Sequence, residues 1–517
     1  MKSFPCFLFI LLLTMQVVSA QPGSLDPSFG NGGTLTTDFF GKYDQISDVF
    51  LFPDGRIFAA GSARNASGND TDFAMALYLP DGSPNSSFGG DGLNTTSVGG
   101  SDEIKATVLQ PDDKILVAGV RGLNNNYNLT VARYLPDASL DNDFGTFFGV
   151  THLDLGTKDD NVYDMVLLPD GKFVLAGSVG SGAAADMVLV QFQANGRPDS
   201  SFGTNGIVTT DFGGGTDIAY AIARQSDDKL LVAGRVYDNG TTLNENFGIA
   251  RYLSNGTLDN DFGTGGKVMI KFTGFIEWAS GLAVLPNDKI LVTGHTQVAG
   301  FQAFALAQLM PDGTLDSDYG SGGKVTKSIP GYAFVSALAI QPDGKALLGG
   351  YGNGPFHLAR FTADGLLDST FTDGVSTPAG IVQTNFNGGF SQINALAMYP
   401  DGRLLAVGTD DNDFALARYI TDGNVGIDHS PFEAGSVKIY PNPVEKQTTL
   451  SFTLRQPQAV QACLYNLQGQ RIYRWEKQYY PAGNHSIDLP FPAEMAEGMY
   501  MLQVIAGEEI SAVKIWK

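Results

Sequence analysis

One short motif, Leu-Asp-x-Ser-Phe-Gly, returns seven times along this chain of 517 residues, and that recurrence limits the fold more than any other feature. Its aromatic position holds Phe29, Phe88, Phe144, Phe202, Phe262, Tyr319 and Phe371, at spacings of 59, 56, 58, 60, 57 and 52 residues. A second marker, a tight turn before an apolar run and Gly, keeps step with it. It reads Asp54-Gly55-Arg56, Asp112-Asp113-Lys114, Asp170-Gly171-Lys172, Asp227-Asp228-Lys229, Asn287-Asp288-Lys289, Asp343-Gly344-Lys345 and Asp401-Gly402-Arg403. A third is the run Phe414 to Tyr419, with counterparts starting at 73, 129, 187, 247, 304 and 356. Three markers in fixed order, seven times over, describe one supersecondary unit repeated rather than several unrelated domains.

Each unit carries four short strand-like runs, clearest in the fourth copy: Ile207 to Thr210, Ala219 to Ala223, Leu230 to Ala233 and Phe247 to Tyr252. Gly, Asp and Asn punctuate the junctions, and no gap holds a capped helical pattern. Seven units of four strands predict an all-β, seven-bladed β-propeller; an open β-solenoid is the alternative. The second run is rich in small residues (Ala221, Ala223, Ala337, Ala339, Ala395, Ala397), which suits the strand nearest the axis. The first run then becomes the outer strand of the preceding blade. Leu35 to Asp38 should complete the last blade beside 393–420, joining the two ends and removing a free edge.

Composition narrows the setting. Gly is 64 of 517 without a Gly-X-Y period, and apolar residues at 43% suffice for a core, which excludes collagen and bulk disorder. A net charge of -22 repels phosphate backbones, so no nucleic-acid partner is expected. Residues 1–20 read as a secretory signal peptide, with Lys2 as its basic start, Phe7 to Leu13 as its apolar stretch and cleavage between Ala20 and Gln21. Removal of Cys6 with it leaves Cys463 as the single mature cysteine, so no internal disulfide is possible. No other segment is apolar and long enough for a transmembrane helix. The chain is expected to act as a monomer.

The fourth run carries Arg133, Arg251, Arg360 and Arg418, with Gln191 and Gln308 in two copies. Eight residues later stand Asp141, Asp259 and Asp368, and likewise Asp199 and Asp316. In the first copy Leu77 replaces the Arg and Asn85 the Asp. This joint change predicts a structural Arg–Asp contact between the fourth run and the turn that follows it.

These motifs together, LDxSFGxxG, PDGKxLVAG and FALARYxxDG, resemble the delta-60 repeat family of bacterial surface and secreted propellers over about residues 24–427. The resemblance implies the propeller fold and no particular chemistry. The tail differs. A linker, 428–436, precedes a second β segment, 437–517, that holds 8 basic against 9 acidic residues, so nearly all the acidity lies in the propeller at 21–427. Tyr440-Pro441-Asn442-Pro443, Asn466 to Gln470, Gly498-Met499-Tyr500 and the ending Lys514-Ile515-Trp516-Lys517 resemble the type A C-terminal sorting domain of the type IX secretion system. That resemblance implies a small Ig-like β-sandwich, with the type IX secretion machinery as partner. It also implies removal of the domain during export, the cargo passing through the periplasm and being released or attached at the outer-membrane surface.

In an up-and-down blade, the loops that join runs one to two and three to four share one face, and these differ in every copy. Such loops normally carry function. Off-pattern aromatics there, Tyr127, Tyr237, Phe275, Trp278, Tyr332 and Phe390, beside Asn and Asp, suit stacking on a glycan or gripping a protein. Oxygen-rich runs Asn69 to Asp72 and Asp410 to Asp413 make calcium conceivable, though neither follows an EF-hand order. The five His are scattered, so no zinc site or other cofactor is expected. No Gly-x-Ser-x-Gly elbow occurs. Glu277 beside Trp278 is the one carboxylate with an acid–base look. The reading is a non-catalytic binding or structural module at the cell surface. The alternative is a polysaccharide hydrolase or lyase on the propeller face.

Overall fold

A computed structural model describes residues 21–517 except 69, 124–125, 157–158, 183–184, 238–243, 299, 329–331, 353, 377, 387–388, 423–436, 445–446, 455–457, 467–470, 482, 492–494, 496–497 and 507–508. The signal peptide, including Ala20, and the linker lie outside the described residues. The chain divides into two compact units, Met1–Val425 and Gly426–Lys517.

Among the described residues the first unit contains seven antiparallel sheets of four strands and no helix. The inner strands are Asp44–Leu51, Ser101–Leu109, Asn161–Leu167, Ile218–Arg224, Trp278–Val284, Tyr332–Ile340 and Ser391–Met398. Each touches the inner strand before and after it, and the last touches the first, so the circle is closed. The alternation of small residues therefore marks the axis, as the sequence suggested. Closure also follows the expected route: Thr34–Thr37 pairs antiparallel with Asp413–Tyr419 as the outer strand of the seventh blade.

Every inner strand carries a register shift in its first half to middle, for example between Ile46 and Asp48 and between Ala219 and Ala221. The facing residue of the next strand is the Gly that ends the apolar run. A Cβ on Gly61, Gly119, Gly177, Gly234, Gly294 or Gly408 would lie 1.8–2.0 Å from an inner-strand carbonyl. The bulge presses backbone against backbone, and only Gly leaves room. The core is divided into seven apolar clusters, each spanning two adjacent blades, including one that joins the first blade to the seventh. Buried tyrosines of the fourth run tie blades further. Tyr78 bonds Thr37, Tyr252 bonds Thr210 and Tyr419 bonds Thr384, each Thr lying on the outer strand of the preceding blade.

The second unit is a β-sandwich. One sheet orders Lys438–Tyr440, Gln447–Leu454 and Gly483–Pro490; the other orders Arg471–Arg474, Gln458–Tyr465, Met499–Ala506 and Glu509–Trp516, with Gln478–Tyr480 also on Gln458–Tyr465. Leu450, Phe452, Leu464, Leu502 and Val504 form its core, and Cys463 is free and buried.

Candidate functional site

The repeated Arg residues belong to the scaffold. Arg133, Arg251 and Arg360 each donate Nε to the carboxylate eight residues on, at 2.9, 2.8 and 2.9 Å. Gln191 does the same to Asp199 at 2.9 Å. Arg418 has no such Asp downstream; its partner at 2.8 Å is Asp26, at the other end of the propeller. The guanidinium of each Arg also stacks over the motif aromatic, Phe144, Phe262, Phe371 or Phe29, at 4.6–4.8 Å from the ring centre. A further Nη reaches a carbonyl of the next blade, Ala194, Pro311, Thr421 or Pro80.

The basic residue of the turn marker joins the same carboxylates, a contact that motif spacing alone did not reveal. Lys114, Lys172, Lys229 and Lys289 lie 2.7–3.3 Å from Asp141, Asp199, Asp259 and Asp316, and Arg403 lies 2.8 Å from Asp26. In the first copy, where Asn85 stands, Arg56 pairs with Asp54 of its own turn. Burial pushes the Asp26 carboxyl up, but the Ser28 bonds, Arg403 and Arg418 outweigh it and hold the group at about 2.

Glu277 also proves to be scaffold. It is buried and accepts the amides of Phe272 (2.7 Å) and Gly274 (2.6 Å) and the hydroxyl of Thr296 (2.8 Å). Asp44, Asp102, Asp160 and Asp217 occupy the same repeat position, are fully buried, and close the same loop on Phe39, Val98, Leu155 and Phe212 at 2.6–2.8 Å. Both Glu277 oxygens are therefore engaged in closing this loop. Asp410 and Asp411 are likewise spent locally, on Ser391 and Phe390, and Asn69 lies outside the described residues.

The variable-loop face is less loop-like than expected. Strands run further, so Tyr127, Tyr237 and Trp278 sit at strand ends. Three of the nominated aromatics come together. Trp278 stacks nearly parallel on Phe334 with centroids 5.7 Å apart; Phe334 meets Tyr351 at 5.2 Å, and Tyr351 meets Phe390 at 6.2 Å. On the other side the Arg235 guanidinium lies 5.9 Å from the Trp278 ring and 5.8 Å from Tyr237. Glu245 holds that end by accepting from Tyr237 (2.7 Å) and Arg235 (3.3 Å). The result is a half-buried aromatic wall across blades four to seven, at the rim of the axis.

Behind it, His295 is buried, with its ring 3.8 Å from Trp278 and 4.7 Å from Phe334. Burial pushes this imidazole down to about 3, so it stays neutral and packs as an aromatic. Deeper along the axis, Tyr163 and Tyr220 of neighbouring blades meet edge-to-face at 4.9 Å. Phe275 is exposed beside the wall without joining it, and Tyr127 is exposed in the second blade, outside these ring contacts among the described residues. Tyr332 opens its inner strand; its side chain lies outside the described part. Phe334, Tyr351 and Arg235 were missed, although the repeat carried a signal for them. At the position of Trp278 and Phe334 the other copies hold Gln45, Glu103, Asn161, Ile218 and Gln392.

In the second unit the suggested sorting residues converge. The Asn442 side chain donates to the Lys514 carbonyl (3.0 Å) and accepts the Trp516 amide (2.9 Å). Gly498 and Lys517 exchange both backbone bonds at 3.0 Å. Pro441 and Pro443 follow cis bonds and lead the chain past this edge, and the Pro441 carbonyl accepts Thr448 at 2.8 Å. Tyr500 packs in the core, whereas Tyr440 projects into solvent.

Comparison with known families agrees with both units. Residues 53–88, 110–144, 168–202, 225–262, 285–319, 341–371 and 400–425 match the family described as "Domain of unknown function (DUF5122) beta-propeller". Residues 438–517 match "Secretion system C-terminal sorting domain". A search of curated proteins finds no match. Among solved structures, the polysaccharide lyase Uly1 is similar at 10% identity, covering 79% of this chain and 94% of its own, with a TM-score of 0.44. The propeller domain of the Trilobed protease from Pyrococcus furiosus, described as having an open velcro topology, is similar at 11% identity, covering 74% and 95%, with a TM-score of 0.38. So low a likeness carries no weight for this chain, whose architecture stands on its closed circle and its repeats. The chain is a DUF5122 β-propeller repeat protein of the delta-60 kind, carrying a type IX secretion C-terminal sorting domain that directs it to the cell surface or the extracellular space.

Proposed function

We propose that the propeller is a non-catalytic carbohydrate-binding module displayed outside the cell, and that its platform is the wall Tyr237–Arg235–Trp278–Phe334–Tyr351–Phe390. The supporting observation is the spacing of that wall. Its rings follow one another at 5.2–6.2 Å on one rim, half-exposed and backed by a buried, neutral His295. Sugar rings present apolar C–H faces at similar intervals, and partly exposed aromatics bind them by burying those faces while the hydroxyls stay in water. Export through the type IX pathway, which brings the propeller to the cell surface or the extracellular space, is compatible with this reading.

Catalysis on the same face is disfavoured by Glu277, whose oxygens are both engaged in the loop. The test is a panel of soluble polysaccharides assayed by titration calorimetry and for turnover. Trp278→Ala should weaken the best ligand about tenfold, equivalent to ~1.4 kcal/mol, without changing the melt much. Turnover of a polysaccharide would replace this reading with an enzymatic one. Silence in both assays would leave a passive surface component.

A further inference from the structure

On the face of the stereotyped turns, opposite the wall, a cavity of about 340 Å³ opens between the third and fourth blades. That size is at the lower end for small-ligand sites. Leu168, Asp170, Lys172 and Gln191 of the third blade line it, with Asp228 and Ser254 of the fourth. Gln191 stands where the second, fourth, sixth and seventh blades carry Arg133, Arg251, Arg360 and Arg418. In those four blades the guanidinium is held by a carboxylate, by the face of the motif aromatic and by a main-chain carbonyl of the next blade. Gln is shorter. Its Nε2 takes the role of the Arg Nε and donates to Asp199 at 2.9 Å. It has no atoms corresponding to Cζ and the two Nη. Ser254, aligned with the carbonyl acceptors Ala194, Pro311, Thr421 and Pro80, lines the cavity instead.

Two deficits remain at this place. Gln191 is buried, and its Oε1 has no hydrogen-bond partner, so a donor is missing. A cation is missing too. Asp141 pairs with both Lys114 (3.0 Å) and Arg133 (2.9 Å), and Asp259 with both Lys229 (3.3 Å) and Arg251 (2.8 Å). Among the described residues Asp199 has Lys172 alone, at 2.9 Å. The equivalent blades therefore seat a guanidinium beside the turn Lys without conflict. Gln308, which makes the same substitution in the fifth blade, leaves no buried unpaired oxygen.

We propose that the cavity beside Gln191 binds a guanidinium group from outside the chain, which takes the place that the repeat Arg fills in other blades. The group comes from an arginine side chain of a protein partner or from a free guanidino compound. A guanidinium carries donors only, in a planar fork, and so matches the Gln191 Oε1 and the Ser254 carbonyl together. A compact ammonium cannot reach both with the same geometry. The site lies on the face away from the wall and does not depend on the carbohydrate reading.

The experiment is calorimetric titration of the full mature chain with methylguanidinium chloride. Binding should saturate with a Kd on the order of 1–10 mM, as suits a ligand of so few atoms. Methylammonium chloride should bind at least about tenfold more weakly. Gln191→Arg should abolish binding and leave the melting temperature unchanged or higher, because the chain then supplies its own guanidinium. Gln308→Arg should leave binding intact. The proposal is overturned if the parent chain does not bind methylguanidinium, if methylammonium binds as well, or if Gln191→Arg binds equally. Should Gln191→Arg fold poorly, Gln191→Met answers the same question: it keeps the volume, loses the acceptor and should weaken binding about tenfold. The peptide Gly-Arg-Gly then separates the sources. Tighter binding than methylguanidinium assigns a protein partner's arginine, and weaker binding assigns a free guanidino compound; either result supports the site.

Discussion

Asp26 shows how much one side chain carries. It takes Nε of Arg418 and Nη1 of Arg403, both at 2.8 Å, and the Ser28 hydroxyl at 2.7 Å. Both arginines come from the far end of the propeller, so this carboxylate closes the circle as well as a turn. Asp26→Asn should lower stability by ~3–5 kcal/mol, because two partly buried cations lose their charge partner. Thermal unfolding of the secreted chain reads this directly, and an unchanged melt would refute the closure role. The eight-residue Arg–Asp spacing was legible in the sequence because it is local. The Arg418 partner was not, since 392 residues separate the two and only the folded ring brings them together. The same limit applied to Glu277. Beside Trp278 it looked catalytic, and its role emerged once Asp44, Asp102, Asp160 and Asp217 were seen closing equivalent loops.

At the scale of the strand, the informative residue is the Gly that ends each apolar run. Its presence was plain from the repeat, but its reason was not. The inner strand bulges, and its carbonyl would lie 1.8 Å from a Cβ on Gly234. Gly234→Ala should therefore cost ~1–3 kcal/mol, the usual penalty of overpacking, despite Ala being as apolar as its neighbours. Measured in the chemical unfolding of the mature chain, a change below ~0.5 kcal/mol would mean that the bulge yields without strain. Strand extension corrects the other sequence-based expectation at this scale. Segments that looked like long variable loops from the third to the fourth run are mostly paired, as in Ile115–Leu123 with Asn126–Tyr134. Gly and Asn made them look irregular, and ladder hydrogen bonds to a neighbouring strand overrode that local preference.

For the whole molecule, acidity has a sign that can be tested. Burial pushes Asp44 and Asp48 up to about 7 and Asp102, Asp164 and Asp217 up to about 6. Between about pH 4 and pH 7 the folded chain therefore binds more protons at these groups than the unfolded chain, and their contribution to stability falls as pH rises. Asp26, Asp141, Asp199, Asp259 and Asp368 shift the other way, and the stability they contribute is lost as pH drops below about 4. The mature chain should melt highest near pH 4, lower at pH 8, and lower too once the pH falls well below 4; a melt rising steadily from pH 4 to pH 8 would contradict this. Unit count, strand order, the innermost run, the closing strand and the address for export were all settled by the chain itself, because a repeat and a turn pattern are local and periodic. The folded ring decided which distant residues meet: the Asp26 seam, the cavity beside Gln191, and the wall that joins Trp278 and Phe390 through Phe334 and Tyr351. Contacts between blades depend on how far each sheet turns about a common axis, and no spacing along the chain records that angle.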